Sequence, residues 1–412
     1  MDKTFECFNS NYENLNIYKS FVIISQCFLN FIGWLIIMQT NVIIQGDCIE
    51  KMKDIPEKSI DLIFADPPYW MRVEGELLRP EGSVFDGCQD EWDNSFKTNS
   101  DYNTFTKNWL VEVRRILKDN GSFWVIGGMQ CIYTIGAIAQ ELGFWFINDV
   151  IWQKSNPTPN FLGTRLTNSH ETLIWMTKTK NAKFTFNYKT AKELNTDIVA
   201  KELFDSGVRK QLGSVWKIPL ATGGERLKDK DGKKLHSTQK PESLLYRIVA
   251  ISSKKGDIVL DPFGGTMTTA AIAKLLGRKY IMIEQNERYI EAGKKRLEVI
   301  KEENTDIANA NFDVKPKKIS IKELIELGFL YEGEKLFLRN ADISANLTFH
   351  GKLEYGNNIC DIHSLCAKLK CVKAKRLNGF DWWYVLREDK KVLLREVREK
   401  ARMKTTKFFC DV

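Results

Sequence analysis

The stretch SIDLIFADPPYW at residues 59–70 constrains the fold more than any other. Its apolar run of Ile60, Leu62, Ile63 and Phe64 stops at Asp66-Pro67-Pro68-Tyr69, the pattern of a buried parallel strand that delivers polar and rigid groups to its carboxyl end. Open α/β sheets bind ligands at such ends. Two prolines hold their backbone extended and lack N–H groups, so the turn offers carbonyl oxygens and one carboxylate. A group with two N–H bonds beside a flat ring suits it: the amine between Asp66 and a carbonyl, the ring on Tyr69. An exocyclic amine of a nucleobase fits, although Asp and Pro also serve as plain strand-ending turn residues.

A chain of 412 residues with 43% hydrophobic content supports one large domain and a smaller one. Nine cysteines show no C-x-x-C spacing and there are only four histidines, so neither a metal site nor a disulfide framework is indicated and a cytoplasmic location is expected. Residues 21–37 are apolar, but Ser25, Gln26 and Asn30 interrupt them, and this length is at the short limit for a span. Residues 1–37 therefore read as a dispensable leader from an upstream translation start, with the globular chain beginning at Met38, and no stable membrane partner is expected.

From Met38 the pattern becomes α/β. Asn41–Ile44 reads as a strand ending in Gly46-Asp47-Cys48, with Ile49, Met52 and Ile55 at helical spacing behind it. Asp47 suits both a helix N-cap and a ligand at the same edge as Asp66. The irregular stretch 71–100 carries Arg72 and Arg79, which could meet phosphates or bases. A helix over 101–118, a strand over 121–128, a helix over 131–142 and a strand over 144–152 continue the rhythm of a doubly wound, mostly parallel sheet.

Periodicity breaks at Asn156-Pro157-Thr158-Pro159-Asn160-Phe161. From there to about residue 235 lie strand-like pieces (ETLIWMTK, KFTFNY) and the basic loop ERLKDKDGKK. This inserted region suits a surface that reads a macromolecular substrate, with Asn156, Asn160 and Arg165 as candidate contacts to base edges and phosphates, and a solvated loop as the plain alternative. Next, HSTQKPE at 236–242 opens a helix; capping and an early Pro account for Ser, Thr and Pro, which leaves Lys240 over.

The second anchor spans 257–297. Ile258-Val259-Leu260 is a buried-strand run, Asp261-Pro262-Phe263-Gly264-Gly265-Thr266-Met267-Thr268-Thr269 turns into a helix, and the strand Tyr280–Ile283 ends in Glu284. A glycine turn, a helix N-terminus and an acid on the next strand make a nucleotide-type site, without the dinucleotide glycine spacing. A cofactor with an adenosine and a carboxylate but no pyrophosphate fits, which is S-adenosylmethionine.

DPPY, HSTQKPE, DPFGGTMTT and IMIE, in this order, resemble the β-group amino DNA methyltransferases over about residues 38–297. The local context is closest to adenine-N6 enzymes acting on GANTC sites, among them restriction-modification and cell-cycle-regulated methyltransferases. The resemblance implies an α/β sheet of the S-adenosylmethionine-dependent methyltransferase type. It gives Asp66 the amine-accepting role with the Pro67 or Pro68 carbonyl, and Tyr69 the stacking role. Asp47 and Cys48 would lie at the cofactor adenine, Glu284 at its ribose, Phe263, Gly265, Thr266 and Thr268 at its methionine end, and Lys240 near the same pocket. Met267 departs from the family pattern, which has glycine there; a side chain would narrow the pocket or oppose positive φ. The implied substrate is double-stranded DNA with the adenine flipped out, with a cognate restriction endonuclease and a homodimer as possible associations. An N4-cytosine or RNA methyltransferase, or a DNA-binding regulator with weak catalysis, are the alternatives. No cysteine follows a proline, so the nucleophile of 5-methylcytosine enzymes is missing.

Residues 309–314 read as a linker. Residues 315–412 hold 21 Lys or Arg against 13 Asp or Glu, a net +8 equal to that of the whole chain, so the remainder is formally neutral. A small α+β domain with a basic C-terminal helix over 390–404 and a phosphate-holding surface is expected, with Trp382, Trp383 and Tyr384 in its core.

Overall fold

The computed structural model describes residues 38–71, 77–78, 84–85, 96–160, 163–195, 210–314, 316 and 318–410. The chain forms two compact units, Met1–Asp313 and Val314–Val412. The leader reading falls outside the described residues, and so do Arg72 and Arg79.

The first unit holds an eight-stranded sheet. Its strands are β1 (Val42–Gln45), β2 (Ile60–Ala65), β5 (Leu117–Gly127), β6 (Trp145–Lys154), β7 (His170–Thr177), β8 (Val215–Ile218), β9 (Ile258–Asp261) and β10 (Lys279–Glu284). A separate short pair, β3 (Leu77–Leu78) with β4 (Val84–Phe85), lies in between in sequence. The order across the sheet is β1-β10-β9-β2-β5-β7-β6-β8. Five neighbours, β1 to β5, run parallel, which is the doubly wound half expected from the βα rhythm. In it Gln45 lies beside Glu284 and Met282 beside Asp261, so Asp47, Glu284, Asp261 and Asp66 all emerge along one carboxyl edge.

The other half reverses. β7 pairs antiparallel with both β5 and β6, placing Thr172 opposite Gly127 and Glu171 opposite Trp152. The start of β7 therefore reaches the edge where β2 and β5 end. Two strands of the stretch 156–235 thus belong to the central sheet. KFTFNY is not a strand: Phe184 and Phe186 pack edge-on against Trp175, and Asn187 donates to the carbonyls of Ala250 and Ser253 before the helix Tyr188–Glu193 begins. Those bonds tie the segment to the end of the helix Glu242–Ser252 instead of to a sheet edge.

Both sheet faces are covered. Trp124 stacks on Trp175 with centroids 4.8 Å apart, next to Trp216, on one face; Phe123, Trp109 and Phe144 pack on the other. Asp313, at the end of a short 3-10 turn, accepts hydrogen bonds from the backbone N–H groups of Lys189 and Thr190 and from the Thr190 hydroxyl. The stretch read as a linker is thus anchored in the first unit up to that residue.

The second unit is a six-stranded antiparallel sheet, β14-β13-β12-β11-β15-β16, with helices Ile321–Glu326, Ile362–Leu369 and Leu394–Cys410. Its strands are β11 (Lys335–Leu338), β12 (Ser344–Leu347), β13 (Leu353–Tyr355), β14 (Asn358–Cys360), β15 (Trp383–Arg387) and β16 (Lys390–Leu393). Trp383 is fully buried, whereas Trp382 and Tyr384 are half-buried. The basic helix begins four residues later than expected, because Lys390–Leu393 first pair with β15.

Candidate active site

Along the carboxyl edge of the parallel half lies a cavity of about 820 Å³. Asp47, Cys48, Asp66, Pro67, Pro68, Tyr69, Lys240, Phe263, Gly265, Thr266, Thr268 and Glu284 all line it, so every residue assigned to catalysis or cofactor meets in one place.

Its cofactor-side carboxylates are held by backbone. Asp47 caps the helix Cys48–Lys53, accepting from the N–H groups of Ile49 and Glu50 at 2.9 and 3.0 Å, and also takes a bond from Gln285. Glu284 accepts from Gly265 N–H at 2.7 Å and from those of Gln285 and Asn286. Burial still pushes its carboxyl above the usual range. Asp261 braces the glycine turn: one oxygen takes the Phe263 N–H, the other the Thr269 hydroxyl at 2.6 Å. Complete burial drives its carboxyl well above the ordinary range despite these bonds. Gly265 sits at φ +49°, a conformation suited to glycine. Phe263 is fixed edge-on by Trp109 at 5.5 Å. The Thr268 hydroxyl accepts from Arg296, which also bonds the Thr266 carbonyl.

Met267 neither narrows the cavity nor prevents the turn. It adopts φ +61° itself, and its fully buried side chain points away from the cavity, between Gly264 and Gly293. A Cβ added at Gly293 would lie 2.1 Å from Met267 Cγ. The glycine missing from the loop is, in effect, matched by one on the neighbouring helix.

The target side is held by charges. Lys240 Nζ lies 2.7 Å from Asp66 Oδ2 and 3.9 Å from Glu171 Oε2, so its ammonium pairs with the turn after β2. Glu171 also ion-pairs with Lys154 at 2.8 Å and accepts from the Tyr69 hydroxyl at 2.7 Å. All four charged side chains are mostly buried, with Lys240 only 6% exposed. Burial opposes the Glu171 charge, but Lys240 and Lys154 overcome it and hold its carboxyl below the usual range. Burial dominates at Asp66 and raises its carboxyl, although Lys240 works against this. The Pro68 carbonyl is taken by the Tyr102 hydroxyl at 2.8 Å. Asp66 Oδ1 is buried and has no hydrogen-bond partner among the described residues.

Tyr69 and Lys240 also border a second cavity of similar volume, lined by Asn160, Arg165 and Thr167 to Thr172. Asn160 there donates to the Arg165 carbonyl, and Asn156 accepts from the Leu220 N–H, so both side chains shape the loop that carries them. The sequence reading missed Glu171, Lys154 and Tyr102. A His-Glu pair opening an apolar strand was the available signal for the first.

The DNA methylase profile of N6/N4 methyltransferases matches residues 60–295, more than half of the chain. The chain is also 49% identical over 358 residues to the type II methyltransferase M.HinfI of Haemophilus influenzae, covering 87% of this chain and 96% of that protein. To the type II methyltransferase M2.MboI of Moraxella bovis it is 38% identical, covering 63% of this chain and 88% of the other. Among solved structures, M1.HpyAVI in complex with SAM aligns at TM-score 0.43 and 26% identity, over 62% of this chain and 98% of that one. The chain belongs to the DNA methylase family and is therefore an enzyme, a DNA methyltransferase of the kind its type II relatives represent. Among the described residues no helix is long and apolar enough to cross a membrane.

Proposed function

We propose that the protein transfers the methyl group of S-adenosylmethionine to the N6 amine of an adenine flipped out of duplex DNA, at GANTC sites, as the modification half of a cytoplasmic restriction-modification system. The observation that carries the reading of Asp66 as acceptor for an exocyclic base amine is its buried, unpartnered Oδ1 at the end of β2; adenine rather than cytosine rests on the likeness of the DPPY motif to adenine enzymes. A buried acceptor without a donor is costly, and a ligand N–H satisfies it. The occupied Pro68 carbonyl favours that of Pro67 as the second acceptor. GANTC rests on the likeness of the motifs to GANTC enzymes and on the 49% identity to a type II methyltransferase.

The cavity fits the cofactor. Its volume lies within the range of small-molecule sites, and Glu284 and Asp47 present backbone-held carboxylates as hydroxyl and amine acceptors. The cofactor supplies an electrophilic methyl bound to a sulfonium that leaves with the bond's electron pair. Asp66 and a proline carbonyl accept the two amine hydrogens, which concentrates the lone pair on nitrogen; Tyr69 replaces the lost stacking. As the N–C bond forms, the excess proton passes to Asp66. Positioning and electrostatics suffice, with no covalent enzyme intermediate.

The basic second unit holds the duplex in this reading, with exposed Lys373 and Lys375 among the groups suited to phosphate. Tritium-methyl transfer to duplex DNA, followed by mass spectrometry of the methylated base and methylation-sensitive sequencing, tests it. The expected product is N6-methyladenine within GANTC. N4-methylcytosine, or transfer at unrelated sites, overturns the base or the site assignment respectively.

A further inference from the structure

Asp66 is not an isolated carboxylate. Six segments place titratable groups around it. Tyr69 shares its turn; Lys240 comes from the segment before the helix Glu242–Ser252; Glu171 stands at the start of β7 with Lys154 of β6 behind it; Cys131 follows β5; and Asp261 ends β9. Among them only Lys240 contacts Asp66 directly as a cation, and Lys240 is shared with Glu171. Lys154 and Glu171 make a second pair, so two lysines balance two carboxylates in a nearly dry space.

Oxygen by oxygen, the arrangement divides the labour. Asp66 Oδ2 faces Lys240 and Oδ1 remains without a partner. Glu171 Oε1 faces Lys154, while Oε2 takes the Tyr69 hydroxyl and faces Lys240. Lys240 Nζ also stands 5.1 Å from the centre of the Tyr69 ring. Glu171 thus fixes the stacking ring and the lysine at the same time.

We propose that Glu171 and Lys240 are positioning residues for methyl transfer: Lys240 turns the free oxygen of Asp66 toward the target amine, and Glu171 holds Lys240 and Tyr69 in place when Asp66 becomes neutral. This rests on Asp66 as the amine acceptor. When the amine's proton reaches Oδ1, the Asp66 charge disappears and Lys240 would be left buried without a counter-charge. Glu171, already 3.9 Å away and ionised, supplies that counter-charge without either side chain leaving its place.

The two residues act on Asp66 with opposite signs, which separates this role from a merely structural one. Loss of the Lys240 cation makes the Asp66 carboxylate less stable, so its titration midpoint rises, by about one to two pH units, as befits the loss of an opposite charge in contact. Loss of the Glu171 anion removes a repulsion, so the midpoint falls, by less because of the greater distance. The experiment is a carbon-13 titration of carboxyl-labelled full-length protein, with the Asp66 resonance assigned by its absence from Asp66→Asn. Lys240→Met is expected above wild type, Glu171→Gln below it, and Lys240→Arg close to it. Lys240→Gln replaces Lys240→Met where the latter does not fold. The acid limb of kcat for methyl transfer should follow the same order. Coincident midpoints in all variants overturn the proposal, as does a shift of both in the same direction. Oppositely shifted midpoints in a protein that methylates no base leave this network standing and overturn the proposed reaction instead.

Discussion

The two halves of the cavity hold their carboxylates by different means. On the cofactor side, Asp47, Glu284 and Asp261 are fixed largely by backbone N–H groups at strand ends and helix starts. On the target side, Asp66 and Glu171 are fixed by two buried lysines and a tyrosine hydroxyl. A backbone donor comes with the fold and only a proline removes it, whereas a lysine is lost by almost any substitution. The first kind of site is suited to holding a ligand of constant charge; the second is suited to a carboxylate whose charge changes during turnover.

The largest expected effect that would break this contrast lies at Asp66. Asp66→Ala should lower methyl transfer by about a thousand-fold or more, near the upper range for loss of a positioned acid–base group, with cofactor affinity close to wild type by calorimetry. Near-normal turnover would show that the charged half has no catalytic purpose. Glu284→Ala should do the reverse, weakening cofactor binding by about ten- to a hundred-fold, the value of one or two hydrogen bonds to a charged group, with kcat largely retained at saturation. A lost kcat at saturating cofactor would mean that the two halves are not separable.

Stability sharpens the comparison next. Gly293→Ala should destabilise the protein by about 1–3 kcal/mol through overlap with Met267, and less so when combined with Met267→Gly; strict additivity in denaturant melts would show that the two do not share one space. The pH dependence of stability should also differ in sign between Asp261 and Glu171, one from each half. Asp261 has a raised carboxyl pKa in the folded protein, so its contribution is full below the ordinary aspartate range and is lost as pH rises through the folded value. Glu171 has a lowered one, so its contribution is present above the ordinary glutamate range and is lost as pH falls through the folded value. Asp261→Asn and Glu171→Gln should flatten opposite limbs of the profile, read as melting temperature against pH. The smallest effect concerns the second unit: Lys373→Gln with Lys375→Gln should reduce the salt slope of DNA binding by about two, one per phosphate contact, with turnover at saturating DNA unchanged.

Why the sequence reading found one half of the site and missed much of the other follows from strand direction. In a parallel sheet every strand ends at the same edge, so an acid at the end of an apolar run marks the site, and Asp47, Asp66 and Glu284 were all legible in that way. β7 runs the other way, and its contribution, Glu171, comes at the start of the strand. Nothing local in HETLIWMT indicates that direction. KFTFNY looks like a strand because alternate aromatics look alike whether they pack in a sheet or against Trp175. Met267 raised an objection that only its contact with a glycine on a different helix removes.

Trp70 follows Tyr69 at φ +52°, an uncommon backbone for a bulky residue. Its ring stacks on Tyr102 at 5.5 Å and its indole N–H donates to the Phe96 carbonyl. An indole next to the residue proposed to meet the target base is a built-in fluorophore. Comparison of wild type with Trp70→Phe would allow arrival of the base to be timed optically, in unlabelled protein, apart from the methyl transfer that follows.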